Sequence, residues 1–228
     1  MLRFRALLPL LGLLAASPAH AGVTVGTPFG YNCYPFACAA TDAVYEYQEQ
    51  YSASAFSGSI TFNQISFFLA VPGPLDSSTY TVSFSTSAAS FGNMSASLSD
   101  NIGGDNEVFG TFVLSGSVPA VLTLTGNAFT YDPTSGAPLL MDVQISNNTY
   151  QTGYCGPLTY CAGFFQADYS GSPAVLRSWI SDDYGTTTNA NGALVTEFTS
   201  VPEPASFALI GLGLTFCGLG AGKRLRRA

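Results

Sequence analysis

The stretch Leu139-Leu140-Met141-Asp142-Val143-Gln144-Ile145 places Leu139, Met141, Val143 and Ile145 on one side and Asp142 and Gln144 on the other. A period of two is that of a strand with one dry face, because successive side chains of a strand point to opposite faces of the sheet. The same alternation recurs upstream. Tyr80, Val82 and Phe84 alternate with Thr81, Ser83 and Ser85, and Ile60 and Phe62 alternate with Ser59, Thr61 and Asn63. A fuller apolar run over 65–71 stops at Pro72-Gly73-Pro74, where proline removes amide donors.

Further strands are expected over 94–98, 108–114, 121–125, 129–131, 163–169, 175–180 and 194–198, separated by turn signals such as Asn101-Ile102-Gly103-Gly104-Asp105-Asn106 and Asp132-Pro133-Thr134-Ser135-Gly136. Between 22 and 57 the chain is aromatic and irregular. Alternation of Tyr45 and Tyr47 fits a strand there, and a short helix through Tyr47 and Tyr51 is the alternative. About ten short strands with no amphipathic helix among them predict an all-β domain, an antiparallel β-sandwich of jelly-roll-like type. No fixed period recurs, which disfavours solenoids and propellers.

The two ends differ from this body. Arg3 and Arg5 precede an apolar run over 6–16, and Ala19-His20-Ala21 offers small residues at the two positions a signal peptidase reads. Residues 1–21 are therefore expected to be a secretory signal peptide that enters the Sec translocon and is cut after Ala21. Removing both ends leaves an ectodomain over 22–200, one domain in size. It contains thirteen Asp and Glu against a single cation, Arg177, a formal balance of −12. Nucleic acid binds through Lys and Arg contacts to phosphate, so it is excluded as a partner.

At the other end stand Val201-Pro202-Glu203-Pro204, an uncharged apolar run over 205–222, and Lys223-Arg224-Leu225-Arg226-Arg227-Ala228. The prolines hold a short extended spacer that an enzyme can grip. The run spans about 27 Å as a helix at ~1.5 Å per residue, enough for a thin bilayer core. The cations Lys223, Arg224, Arg226 and Arg227 should stop transfer and stay cytoplasmic. This order of Val201, Pro202, Glu203 and Pro204, glycine-rich membrane helix and basic tail over 201–228 resembles the PEP-CTERM sorting signal of Gram-negative bacterial surface proteins. The resemblance implies recognition by an exosortase, a membrane-embedded, cysteine-dependent processing enzyme, in organisms that make extracellular polysaccharide. Phe129-Thr130-Tyr131-Asp132-Pro133, Leu139-Leu140-Met141-Asp142-Val143 and Asp100-Asn101-Ile102-Gly103 also resemble stretches in the exported domains of such proteins, which implies a β-rich surface domain and adds no catalytic residue.

Four cysteines lie in the exported span: Cys33, Cys38, Cys155 and Cys161. An oxidising compartment favours two disulfides. The sequence-local pairs, Cys33 with Cys38 and Cys155 with Cys161, are expected, with pairing across the domain as the alternative. The only histidine, His20, leaves with the signal segment, and the exported span has no lysine. Ser-His and Cys-His nucleophile pairs are thereby excluded, and an enzyme is not expected. Asp182 and Asp183 are adjacent, which on a strand or in a turn is a poor arrangement for an acid–base pair.

Asp100, Asp105 and Glu107, with Asn101 and Asn106, crowd oxygen donors into a glycine-containing loop and are candidate calcium ligands, although their spacing fails the EF-hand pattern and the bland reading is an Asx- and Gly-rich surface turn. No other cofactor is expected. Trp179, near Arg177, and the tyrosine-rich N-terminal stretch form a candidate stacking platform for sugar rings, with core packing as the bland reading of Trp179 and a carboxylate partner expected for Arg177. The reading that results is a non-enzymatic exported protein. Its precursor is anchored in the inner membrane by the C-terminal helix, processed by an exosortase, and delivered to the cell surface, outer envelope or extracellular matrix in association with extracellular polysaccharide. A lectin-like carbohydrate-binding domain on the same route is the alternative.

Overall fold

The computed structural model describes residues 22–149 and 162–199. The expected signal peptide, sorting signal, basic tail and the pair Cys155 and Cys161 lie outside the described residues. Among the described residues there are thirteen strands, three short 3₁₀ turns and no α-helix. The strands are β1 (Val23–Val25), β2 (Tyr31–Asn32), β3 (Val44–Tyr51), β4 (Ile60–Val71), β5 (Pro74–Thr86), β6 (Glu107–Ser117) and β7 (Val121–Tyr131). They are followed by β8 (Leu139–Thr149), β9 (Phe164–Asp168), β10 (Val175–Ser181), β11 (Gly185–Ala190), β12 (Ala193–Leu194) and β13 (Thr196–Thr199).

They form two antiparallel sheets. One runs β11-β10-β3-β8-β5-β6; the other runs β1-β13-β4-β9-β12, with β7 on β4 and β2 on β9. Leu139, Met141, Val143 and Ile145 are buried on the inner face of β8 as the alternation predicts, but Leu140 and Asp142 on its other face are buried as well. Tyr45 and Tyr47 lie on a strand, and the helical alternative is not realised.

Phenylalanines join the sheets. Phe62 on β4 meets Phe84 on β5 at 4.9 Å between ring centroids and Phe198 on β13 at 4.9 Å. Phe84 in turn meets Phe109 at 5.4 Å, edge to face. Edge-to-face rings set the positive rim of one against the negative face of the other and add to area burial.

The two segments expected at 60–62 and 65–71 are one strand, as are those at 121–125 and 129–131. Their shared register shifts between Phe62 and Gln64. A bulge reverses the phase of a strand, so Phe62 and Ile65 both face the core, as do Leu124 and Phe129. Gly126 sits in that irregularity because a Cβ there would collide with the carbonyl of Phe109.

The expected strand over 94–98 does not form. The connection between β5 and β6, residues 87–106, instead folds back over the outer face of the β3-containing sheet. Met94 packs there with Leu140 and Leu176, and Phe91 and Ile102 lie against them. Beneath it the outward residues of β3 are dry. Gln48 donates to Leu98 O at 3.0 Å and to Asp142 Oδ1 at 2.9 Å, and accepts from Asn101 Nδ2 at 2.9 Å. Gln50 donates to Ser87 Oγ and Ala89 O and accepts from Gly92 N. Buried amides are tolerated because their donors and acceptors find partners.

Phe62→Ala should lower unfolding free energy by ~3–5 kcal/mol through the cavity it leaves, whereas Thr61→Ala on the outer face should change it by less than ~0.5 kcal/mol. Chemical denaturation of the two variants checks this.

Candidate functional site

Three groups of polar side chains stand apart from the hydroxyl-lined surface. The first holds the candidate calcium ligands Asp100, Asp105 and Glu107. Among the described residues no group of three metal-ligating side chains forms. The loop's oxygens face different ways. Asp105 accepts from Thr86 N at 2.9 Å and Thr86 Oγ1 at 2.7 Å, and Asn101 turns inward to Gln48 and Ser95. Asp100 accepts only a long bond from Ser95, and Glu107 begins β6 opposite Phe84. Asp105 ties the covering loop to its sheet through Thr86 and Asp100 bonds within the loop, an arrangement that lends the calcium candidate no support.

The second group is a carboxyl pair invisible in the sequence. Glu46 on β3 and Asp142 on β8 are 96 positions apart but sit on adjacent strands, where Glu46 lies opposite Gln144 and Gln48 opposite Asp142. Burial, and then repulsion from Asp142, raise Glu46 to about 7. Burial also raises Asp142, although hydrogen bonds from Gln48 and Gln144 work against it. Elsewhere, burial raises Asp76 to about 6 despite the amides of Ala39 and Ala40 that favour its charged form. Asp182 and Asp183 are exposed in the β10–β11 turn, where the Asp183 amide donates to Ser181 Oγ at 3.1 Å.

The third group surrounds Arg177. On β10, Arg177 lies opposite Glu49 and Trp179 opposite Tyr47. Glu49 is fully buried, accepts from Tyr47 Oη and Tyr51 Oη at 2.6 Å each and from Leu194 N at 2.6 Å, and burial raises its pKa. The guanidinium carbon lies 4.7 Å from the Trp179 ring centroid and 5.6 Å from that of Tyr34, so the cation is held over two aromatic faces. Tyr34 stacks on Trp179 at 5.6 Å and donates to Asp42. It sits in the loop closed by the disulfide Cys33–Cys38, the local pairing expected from the sequence.

Arg177 Nε donates to Asn191 O at 2.9 Å and Nη2 to Tyr169 Oη at 3.4 Å. Nη1 is buried and donates to nothing among the described residues. The expected carboxylate partner of Arg177 is not what holds it. Tyr169 packs over Gly30 and Gly192, both with positive φ, where any Cβ would strike its ring. Tyr31, Tyr169 and Tyr184 are exposed, and Tyr31 packs edge to face on Phe164. Trp179 belongs partly to the core and partly to this rim.

Residues 200–227 match the PEP-CTERM protein-sorting motif. The chain is a carrier of the PEP-CTERM sorting signal. That signal implies an exported, membrane-passing precursor whose sorting depends on an exosortase as processing partner. Pro202, Glu203, Pro204 and the four terminal cations all fall within the matched PEP-CTERM span. No curated protein and no solved structure matches the chain. Among the described residues no helix is long and apolar enough to cross a membrane.

The raised carboxyls carry a pH dependence. A carboxyl whose pKa rises on folding holds its proton more tightly in the folded chain. The stability this confers is complete below its ordinary range and is lost as pH rises through its folded value. For Glu46 the window runs from 4.5 to about 7, and for Asp76 from 3.8 to about 6. Melting temperature should therefore be higher at the acid end of this range than at neutral pH. The Glu46 part, discounted for its half-exposure, is on the order of 1 kcal/mol, or ~3 °C. Glu46→Gln should flatten that part of the curve in calorimetric scans, and an unchanged slope would contradict the assignment.

Proposed function

We propose that this chain is a non-enzymatic surface or matrix protein whose precursor is held in the inner membrane by residues 205–222 and processed near Pro202, Glu203 and Pro204. The processed domain is then delivered to the cell surface, outer envelope or extracellular matrix, in association with extracellular polysaccharide. The observation that carries this reading is the PEP-CTERM motif over 200–227, read together with the export-like segment over 1–21.

The body supports it through composition. An exported span without lysine or histidine has few of the groups that supply nucleophiles and general bases near neutral pH. Its sandwich, which we take to be of jelly-roll type, presents outer faces lined by hydroxyl pairs such as Thr61–Thr130 and Thr81–Thr111. A second reading, carbohydrate binding by the exported domain, is favoured by the aromatic rim around Arg177, because aromatic faces stack on the apolar faces of sugar rings.

Intact mass of the native protein, from cells with and without their exosortase, tests the first reading. The expected result is loss of the segment after the Pro-Glu-Pro region only where the enzyme is present. An unchanged C-terminus in both strains would refute it.

A further inference from the structure

Arg177 is the lone cation of a span that carries thirteen carboxylates, yet its guanidinium bonds directly to none of them among the described residues, and Glu49 acts on it only through its charge. It is nine-tenths buried. Glu49, directly across the strand pair, is engaged by Tyr47, Tyr51 and the amide of Leu194. Withdrawing a cation from water without a carboxylate bonded to it costs several kcal/mol, part of which the nearby Glu49 and the Trp179 and Tyr34 faces return. Of the five N–H groups of the fork, the Nε one is firmly bonded to Asn191 O. The other edge is buried and under-bonded. Nη1 has no partner among the described residues, and the Nη2 bond to Tyr169 Oη is at the long limit for a hydrogen bond.

We propose that this edge receives a carboxylate-bearing sugar, a hexuronate unit within an otherwise neutral glycan. Its two carboxylate oxygens bond Nη1 and Nη2 in the fork-to-fork geometry that suits guanidinium. Tyr169, partly exposed and held to Arg177 only by the 3.4 Å bond, is the side chain the carboxylate displaces. The sugar ring then lies against the aromatic rim formed by Tyr34 and Trp179.

Two observations select this ligand class. The rim is aromatic and lacks a second cation, so one carboxylate is matched and a run of them is not. The formal balance of −12 repels a dense polyanion over the same distance, which favours a glycan whose acidic units are spaced by neutral ones. The stacked faces of Tyr34 and Trp179 beside the fork suit the apolar face of a sugar ring.

The inference rests on the carbohydrate-binding reading, and one experiment separates the two. Cellobiouronic acid and cellobiose, which differ only in a carboxylate, are titrated calorimetrically into the full-length chain in detergent. Emission of Trp179, the chain's only tryptophan, is followed as a second readout. The uronate should bind at least ~10-fold more tightly than the neutral disaccharide, and its advantage should shrink as salt is added. Arg177→Lys, which keeps the charge but loses the planar fork, should remove ~10-fold of the uronate affinity and leave cellobiose within ~2-fold.

Tyr169→Phe, which deletes only the competing hydroxyl, should bind the uronate equally well or better, and it keeps the test alive should the Arg177 variant not fold. Equal affinity for both disaccharides overturns the uronate assignment and leaves carbohydrate binding standing. Absence of heat and of any emission change with either sugar overturns both. Binding of an acetylated peptide with a free C-terminal carboxylate in place of the uronate also overturns the assignment.

Discussion

Phe62, Phe84 and Phe198 hold the two sheets together at one point. The three rings come from β4, β5 and β13, so neither sheet can move without separating them. Around them Phe109, Phe129, Tyr51, Phe56 and Tyr131 extend the contact along the interface. An exported domain with so few charges has little electrostatics with which to specify its shape. Ring geometry substitutes, because an edge-to-face pair tolerates only a narrow range of positions. The bulge shared by β4 and β7 exists to serve this constraint: without it Phe62 and Ile65 would point to opposite faces.

A consequence of that central contact is that β3 is buried on both sides. Tyr47, Glu49 and Tyr51 face the inter-sheet core, while Gln48 and Gln50 face the covering segment 87–106. The covering segment makes the β3 sheet the middle of three layers over part of its area. The third layer is held by amide and backbone hydrogen bonds as much as by Met94, Leu140 and Leu176. Asn189, with φ of 54°, donates to and accepts from the Met94 backbone, so the β11 edge also clasps the cover. Buried polar groups with complete partners specify one arrangement, since any slip would orphan them.

The same strand carries the chemistry of the far end of the sheet. Glu49 and Arg177 are neighbours across the β3–β10 pair, but the acid is satisfied by two tyrosines and an amide while the cation leans on Trp179 and Tyr34. The disulfide Cys33–Cys38 and the Tyr34–Asp42 hydrogen bond hold the loop that brings Tyr34 there. Tyr169 arrives from the end of β9, seated on two glycines. Four separate chain segments thus build one rim around one charge.

Period-two alternation in 80–85 and 139–145 made the strands, the all-β class and the inner faces legible, because a side chain's face depends only on its parity within an unbroken strand. The sorting signal was legible too, since spacer, apolar run and basic tail act in sequence order and need no fold. The local cysteine pair followed from a short loop. Parity fails wherever a bulge intervenes, so β4 and β7 each looked like two strands. Composition also cannot say which loop covers a sheet, so 94–98 looked like a strand. The Glu46–Asp142 pair and the unmatched fork of Arg177 were decided by tertiary structure alone. Each depends on strand pairing between residues distant in the chain, and pairing is settled by the best packing of the whole interface.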